Sequence, residues 1–217
     1  MKDWRLIYII FAKSEDKLYI SNKNRQAYFV LLSVCIIFVR INLKNCNVMF
    51  DKETYVQRRA LLKKNIGSGV LLFLGNDEQG LNYEDNAFRY RQDSTFLYYF
   101  GLSFAGLSAV IDIDEDKEII FGDELTIDHI VWMGTQPTLK EKSERVGIRE
   151  TLPSVAIISY LHKAVQKGQT VHYLPPYRPE HKLKLMDWLG IPPARQEGSV
   201  PFIRAVVAQR NYKSCLL

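Results

Sequence analysis

Cysteine is scarce in this 217-residue chain and absent from most of it. The three cysteines are Cys35, Cys46 and Cys215, so residues 49–214 contain none. That excludes a cysteine nucleophile or a zinc–thiolate site from the stretch, and it is compatible with a cytoplasmic location. Glycine and proline are missing altogether from residues 1–48. Long hydrophobic runs are also lacking. The best is Ala27–Val39, interrupted by Ser33, whose 13 residues reach about 20 Å as a helix against the roughly 30 Å of a bilayer core. Nor is there a pervasive excess of one charge. The formal net charge is +5, but residues 1–48 hold eight basic and three acidic side chains, and the remaining residues hold 21 of each. The body of the chain therefore has no electrostatic case for binding nucleic acid.

What is present divides the same way. Residues 1–48 read as an extraneous or disordered N-terminal extension. The apolar run follows Lys23 and Arg25 as a signal core would, but about 25 residues precede it and no small-x-small site follows. A start at Met49, with 1–48 as upstream sequence, explains the charge, cysteine and composition shifts together and is the favoured reading. A membrane tether through Ala27–Val39 is the alternative.

From Met49 the signals become regular. Asp51 is placed to cap a helix with Glu53 in its first turn, Val56, Ala60 and Leu61 on one face, Arg58 and Arg59 elsewhere, and Gly67-Ser68-Gly69 at its end. Val70–Leu74 is a short apolar strand, residues 76–94 a polar loop, and aromatic Thr95–Phe100 a strand. Leu107–Ile113 and Glu118–Phe121 predict a hairpin around Asp114–Lys117. Thr126–Met133 reads as a strand or short helix and the charged residues 137–150 as a surface helix. Helices are expected over Val155–Val165 and Glu180–Leu189, a strand over Thr170–Leu174, and a strand or helix start over Ser199–Val207. Interleaved strands and helices make the class α/β, with a mixed sheet of about five or six strands and flanking helices.

Chemical motifs are few. Asp112-x-Asp114-x-Asp116 opens like a calcium loop, but Lys117 and Asp123 stand where Gly and Glu are needed, so a hairpin tip is the better reading. Gly67-Ser68-Gly69 precedes its strand and is no dinucleotide fingerprint. His162, His172 and His181 lie on separate elements and read as structural, and no metal site is assigned to the chain. The loop and strand 83–100 combine Glu84, Asp85, Arg89, Arg91 and Asp93 with seven aromatics. They make either a charged loop fixed against the sheet or a peptide-binding wall with a displayed carboxylate.

Tyr90-Arg91-Gln92-Asp93-Ser94-Thr95-Phe96-Leu97-Tyr98-Tyr99-Phe100-Gly101 resembles the Y-R-Q-x-S-x-F-x-Y-x-x-G signature of the amino-terminal domain of Xaa-Pro aminopeptidases (aminopeptidase P). Ile130-Val131-Trp132-Met133-Gly134 resembles that family's I-W-x-G segment, and Arg210-Asn211-Tyr212-Lys213-Ser214 its R-x-x-K-S hinge. The resemblance covers residues 49–214 and leaves 215–217 as a non-family tail. It implies a creatinase/prolidase-like N-terminal domain that helps assemble a homo-oligomer and lines a neighbouring subunit's cleft. The family acts as a metallopeptidase on peptides with proline second. Its pita-bread catalytic domain holds two metal ions, commonly manganese, through two Asp, one His and two Glu. Those ligands lie beyond Ser214, so the resemblance implies an enzyme cut off at its hinge, inactive alone, and no catalytic residue is carried over. Asp85, Arg91 and Trp132 are the positions expected to line the substrate cleft, Asp85 meeting a substrate amine and Trp132 offering an apolar face, unless Trp132 is simply a core aromatic. A non-catalytic oligomerisation or regulatory module is the alternative. A cytoplasmic location is expected, with neither nucleic acid nor membrane as partner.

Overall fold

The computed structural model describes residues 50–83, 86–124, 131, 134 and 136–210. The apolar run Ala27–Val39, all three cysteines, Asp85, most of Thr126–Met133 including Trp132, and the hinge residues 211–214 lie outside the described residues.

Helix α1 (Lys52–Ile66) leads through Gly67 into β1 (Val70–Leu74). After a long loop come α2 (Ser94–Phe100) and the hairpin of β2 (Ser108–Asp112) and β3 (Lys117–Phe121). Then follow α3 (Leu139–Glu144), β4 (Glu150–Leu152), α4 (Ala156–Gln166), β5 (Val171–Tyr173), α5 (Pro179–Leu189) and α6 (Val200–Arg210). The sheet has five strands in the order β4-β3-β2-β1-β5. β1, β2 and β3 pair antiparallel, while β5 runs parallel to β1 and β4 parallel to β3. The expected mixed sheet is thus observed, with helices on both faces.

Period-2 alternation divides the two cores even though both faces of the central strands are buried. Leu71 and Phe73 join Ala109, Ile111 and Ile120 beneath α1, α2 and α6. Val70 and Leu72 join Val110, Ile119 and Phe121 beneath α4 and α5. Phe73 is the hub of the first core, its ring 5.0 Å from that of Phe100 and 5.1 Å from that of Phe202. Among the described residues no helix is long and apolar enough to cross a membrane.

Three expectations change and one open reading is resolved. Thr95–Phe100 belongs to a helix. The side chain of Asp93 accepts the amides of Thr95 and Phe96 at 2.8 and 2.9 Å, and Gly101 closes the helix at φ 65°. Aromatic content favoured a strand, but cap and stop won. Phe96, Tyr99 and Phe100, spaced i, i+3, i+4, all point into the core. Residues 137–150 hold only the short α3, opened by a Thr138–Glu141 capping box, and then enter β4. Of the two readings for Ser199–Val207, the helix is right.

The third change is the inner face of α1. Val56, Ala60 and Leu61 are exposed, and Tyr55, Arg59 and Leu62 are buried. Arg59 has no exposed surface. Its Nε donates to Glu118 at 2.7 Å, Nη1 to the Tyr99 carbonyl at 2.9 Å and Nη2 to the Val146 carbonyl at 2.9 Å. The planar guanidinium thus joins α1 to β3, to the end of α2 and to the turn after α3. Burial pulls its pKa below the ordinary value, and Glu118 opposes that pull. A charge so placed is tolerated because each of its three nitrogens donates a hydrogen bond, one of them to a carboxylate.

Replacing Arg59 with Met leaves Glu118 short of a partner and orphans two buried carbonyls. R59M is expected to lose about 3 kcal/mol or more of unfolding free energy, measured by urea denaturation. A loss under about 1 kcal/mol would show that the guanidinium is dispensable.

Candidate functional site

The signature segment 88–101 lies at the C-terminal ends of the parallel strands β1 and β5. In α/β sheets this is where a crevice forms. A cavity of about 110 Å³ opens there, lined by Phe73, Asp93, Tyr173, Pro175, Tyr177 and His181 among others.

Its walls are fixed by buried polar contacts. Gln92 is 1% exposed. Its Oε1 accepts the amides of Asn76 at 2.7 Å and Asp93 at 2.9 Å, and its Nε2 donates to the Phe104 carbonyl at 2.9 Å. Tyr90 donates its hydroxyl to that same carbonyl at 2.8 Å. Gly75 sits under this knot. A Cβ there would fall 2.5 Å from the Leu107 carbonyl oxygen, so only glycine fits. Asp93 uses one oxygen to cap α2 and accepts the Tyr177 hydroxyl on the other at 3.2 Å. The Tyr90 hydroxyl has its pKa raised, first by burial and then by Asp77 and Glu78.

His181 is 4% exposed and donates Nε2–H to the Gly75 carbonyl at 3.0 Å. Burial lowers its pKa. In the middle of β5, His172 Nδ1 meets Ser199 Oγ at 2.6 Å, and burial lowers that pKa too. Burial thus disfavours the charged form of both imidazoles, and each is tied into the fold by a hydrogen bond.

Of the three expected cleft positions, only Arg91 lies among the described residues. Its side chain is exposed just before α2, and its carbonyl accepts Asn76 Nδ2 at 2.8 Å. Asp85 and Trp132 lie outside the described residues. Of the seven aromatics in residues 83–100, Phe96, Tyr99 and Phe100 are fully buried, Tyr90 and Tyr98 are half-buried, and Tyr83 and Phe88 are exposed. Asn76, Tyr177 and His181 were not singled out with the site. Asn76 and Tyr177 come from loops without a motif, and only the Pro175-Pro176 break before Tyr177 hinted at a rigid wall.

The acidic hairpin is a tip, as read. Asp112 accepts Tyr160 Oη, Gln169 Nε2 and the Glu115 amide, Asp114 accepts the Gly69 amide, and Asp116 pairs with Lys63. Among the described residues no group of three or more His, Cys, Asp or Glu is placed to hold a metal ion. The described residues therefore offer no donor set that fits manganese.

The model of the family described as "Aminopeptidase P, N-terminal domain" matches residues 55–173. The chain belongs to that family. Relatives of this aminopeptidase P N-terminal domain include a probable Xaa-Pro aminopeptidase of Chaetomium globosum, 30% identical over 112 residues, which are 50% of this chain and 18% of that protein. A human Xaa-Pro dipeptidase is 34% identical over 90 residues, 40% of this chain and 18% of the dipeptidase. The matched stretch thus spans about a fifth of the curated relatives' length. Among solved structures, Pseudomonas aeruginosa aminopeptidase PepP superposes with TM-score 0.57 at 21% identity, covering 70% of this chain and 35% of that one. Zinc-substituted Escherichia coli aminopeptidase P in complex with product gives TM-score 0.53 at 16% identity, covering 77% and 34%. At these identities the solved structures establish the fold alone.

Two outcomes follow for the aminopeptidase P N-terminal domain. Gln92→Met strips three buried hydrogen bonds and is expected to cost about 2–4 kcal/mol in urea unfolding, whereas exposed Arg91→Ala stays within about 0.5 kcal/mol of the parent. Equal costs would contradict this division of labour. The histidines set a pH dependence. The unfolded chain takes up protons below about pH 6.5 while the folded chain resists them, so stability falls as pH drops through that value toward the folded pKa. His181→Gln should flatten the slope of urea midpoint between about pH 7 and pH 5, and an unchanged slope would remove His181 from the account.

Proposed function

We propose that this domain serves a manganese-dependent Xaa-Pro aminopeptidase, an enzyme that removes the amino-terminal residue from peptides with proline in second position. The family-model match over residues 55–173 carries the reading, and the printed names of the relatives as Xaa-Pro aminopeptidases and dipeptidases support it. On this reading residues 49–214 bind no catalytic metal themselves and are inactive alone. The manganese belongs to the family's catalytic domain. The domain's contribution is to hold a homo-oligomer together in the cytoplasm and to present Asp85, Arg91 and Trp132 to a neighbouring subunit's substrate cleft.

Each residue type suits its task. Arg91 is an exposed cation on a backbone locked by Gln92 and Asn76, so a carboxylate or carbonyl of a bound peptide would meet it at little ordering cost. Asp85 offers a charge complementary to a peptide's amino terminus, and Trp132 a flat apolar face.

The test grafts residues 49–214 in place of the corresponding domain of Escherichia coli aminopeptidase P. The purified chain alone should release no residue from a Xaa-Pro-Xaa tripeptide with manganese present, while the chimaera should release it. In the chimaera, Arg91→Ala or Trp132→Ala should raise KM about three- to tenfold with kcat little changed, the pattern of lost uniform binding. Turnover by the chain alone, or unaltered KM in both variants, would overturn the proposed role.

A further inference from the structure

On the face of the domain built by α1, α3 and the approach to β4 lies an open cavity of about 360 Å³, lined by Lys52, Lys140, Glu144, Gly147 and Arg149. Three of the five are cations. Among the described residues none of these three cations holds an ion pair or a side-chain hydrogen bond. Elsewhere on the surface Lys63, Lys117, Lys167 and Lys184 each grip a carboxylate. Lys64, Lys163 and Lys182 are likewise without an ion pair among the described residues, but Lys52, Lys140 and Arg149 differ in bordering one common hollow with Glu144.

The floor of the hollow is bare backbone. Gly147 has φ 85°, and a Cβ there would lie 2.6 Å from Val56 Cγ2, 3.3 Å from Arg59 Nη2 and 3.5 Å from Lys52 Cε. Any side chain at 147 would fill the space between Lys52 and the buried guanidinium.

We propose that Lys52, Lys140 and Arg149 form a binding site for a phosphate-type oxyanion, either inorganic phosphate or the phosphoryl group of a monoester. Three cations against Glu144 leave a local charge of +2, which matches the roughly −1.5 to −2 of a phosphoryl group at neutral pH better than the single charge of a carboxylate. Arg149 brings a planar fork suited to two phosphate oxygens, and the lysines act as point charges on the others. The cavity is larger than a bare phosphate and leaves room for an organic remainder. Because Lys52 starts α1, Lys140 lies on α3 and Arg149 leads into β4, a bound anion adds a further tie among three elements that already pack near Gly147. Binding therefore favours the folded state.

The test uses the full 217-residue chain. Its Tm is followed while inorganic phosphate, O-phosphoserine or, at matched ionic strength, sodium chloride is added. A saturable rise with phosphate or phosphoserine but not with chloride is expected. The tighter of the two identifies the source as the free anion or a monoester. The double variant K140A/R149A should weaken apparent binding about tenfold or more, a cost of about 1.4 kcal/mol. A control double variant of exposed lysines on α4 and α5, K163A/K182A, should bind as the parent does. The proposal fails if Tm tracks ionic strength alone, if K140A/R149A binds as tightly as the parent, or if the control loses binding equally. A circular dichroism spectrum matching the parent's shows that the variants are folded.

Discussion

Everything on the α1 side of the sheet is registered by one buried guanidinium. Arg59 reaches β3 through Glu118, the end of α2 through Tyr99 and the turn after α3 through Val146. Each bond is unremarkable in energy, but burial makes them a set: a missing acceptor would leave a charge without solvent or partner. The surrounding structure is arranged to supply them. Gly101 turns in the left-handed region where a Cβ would fall 2.4 Å from the Tyr55 ring, so α2 can stop against α1 and present the Tyr99 carbonyl. Gln209 completes the junction. It accepts the Tyr99 hydroxyl at 2.5 Å and donates to the Arg58 carbonyl at 2.9 Å, fastening α6 to α1 and α2.

The family signature takes on a particular meaning in this setting. Its Gln92 and Asp93 are committed to backbone amides, and its Phe96, Tyr99 and Phe100 to the core. Such residues are demanded by architecture: they fix the path of the loop between β1 and α2 and the angle at which α2 enters. Arg91 stands apart as the described signature side chain with charge to spare, held at its backbone and free at its tip. A recognition motif can thus be mostly scaffold, with few positions left for contact with other molecules.

Elements defined by their own residues were legible in the sequence. The apolar run Val70–Leu74 is the central strand, the Asp114–Lys117 tip closes the hairpin, and α4 and α5 fall within a residue of their expected bounds. Failures came where partners far along the chain decide. The buried face of α1 runs Tyr55-Arg59-Leu62, a helical stripe with a cation at its middle, and no local rule buries an arginine before Glu118 and two carbonyls are known to await it. The aromatics of 95–100 suggested a strand by propensity, although Asp93 and Gly101 already marked a helix's two ends. At the site, Arg91 was named from the motif, but the supporting roles of Asn76, Tyr177 and His181 depend on the meeting of β1 and β5.

The two outermost strands are only three residues each, Glu150–Leu152 and Val171–Tyr173. Pro153 follows the first and Pro175-Pro176 closely follow the second, so neither strand can lengthen into the next residues of its own chain. A sheet whose margins offer so few free amides and carbonyls is a poor template for another strand. The domain can therefore sit at high local concentration, as it would in any assembly of several copies, without its sheets fusing edge to edge.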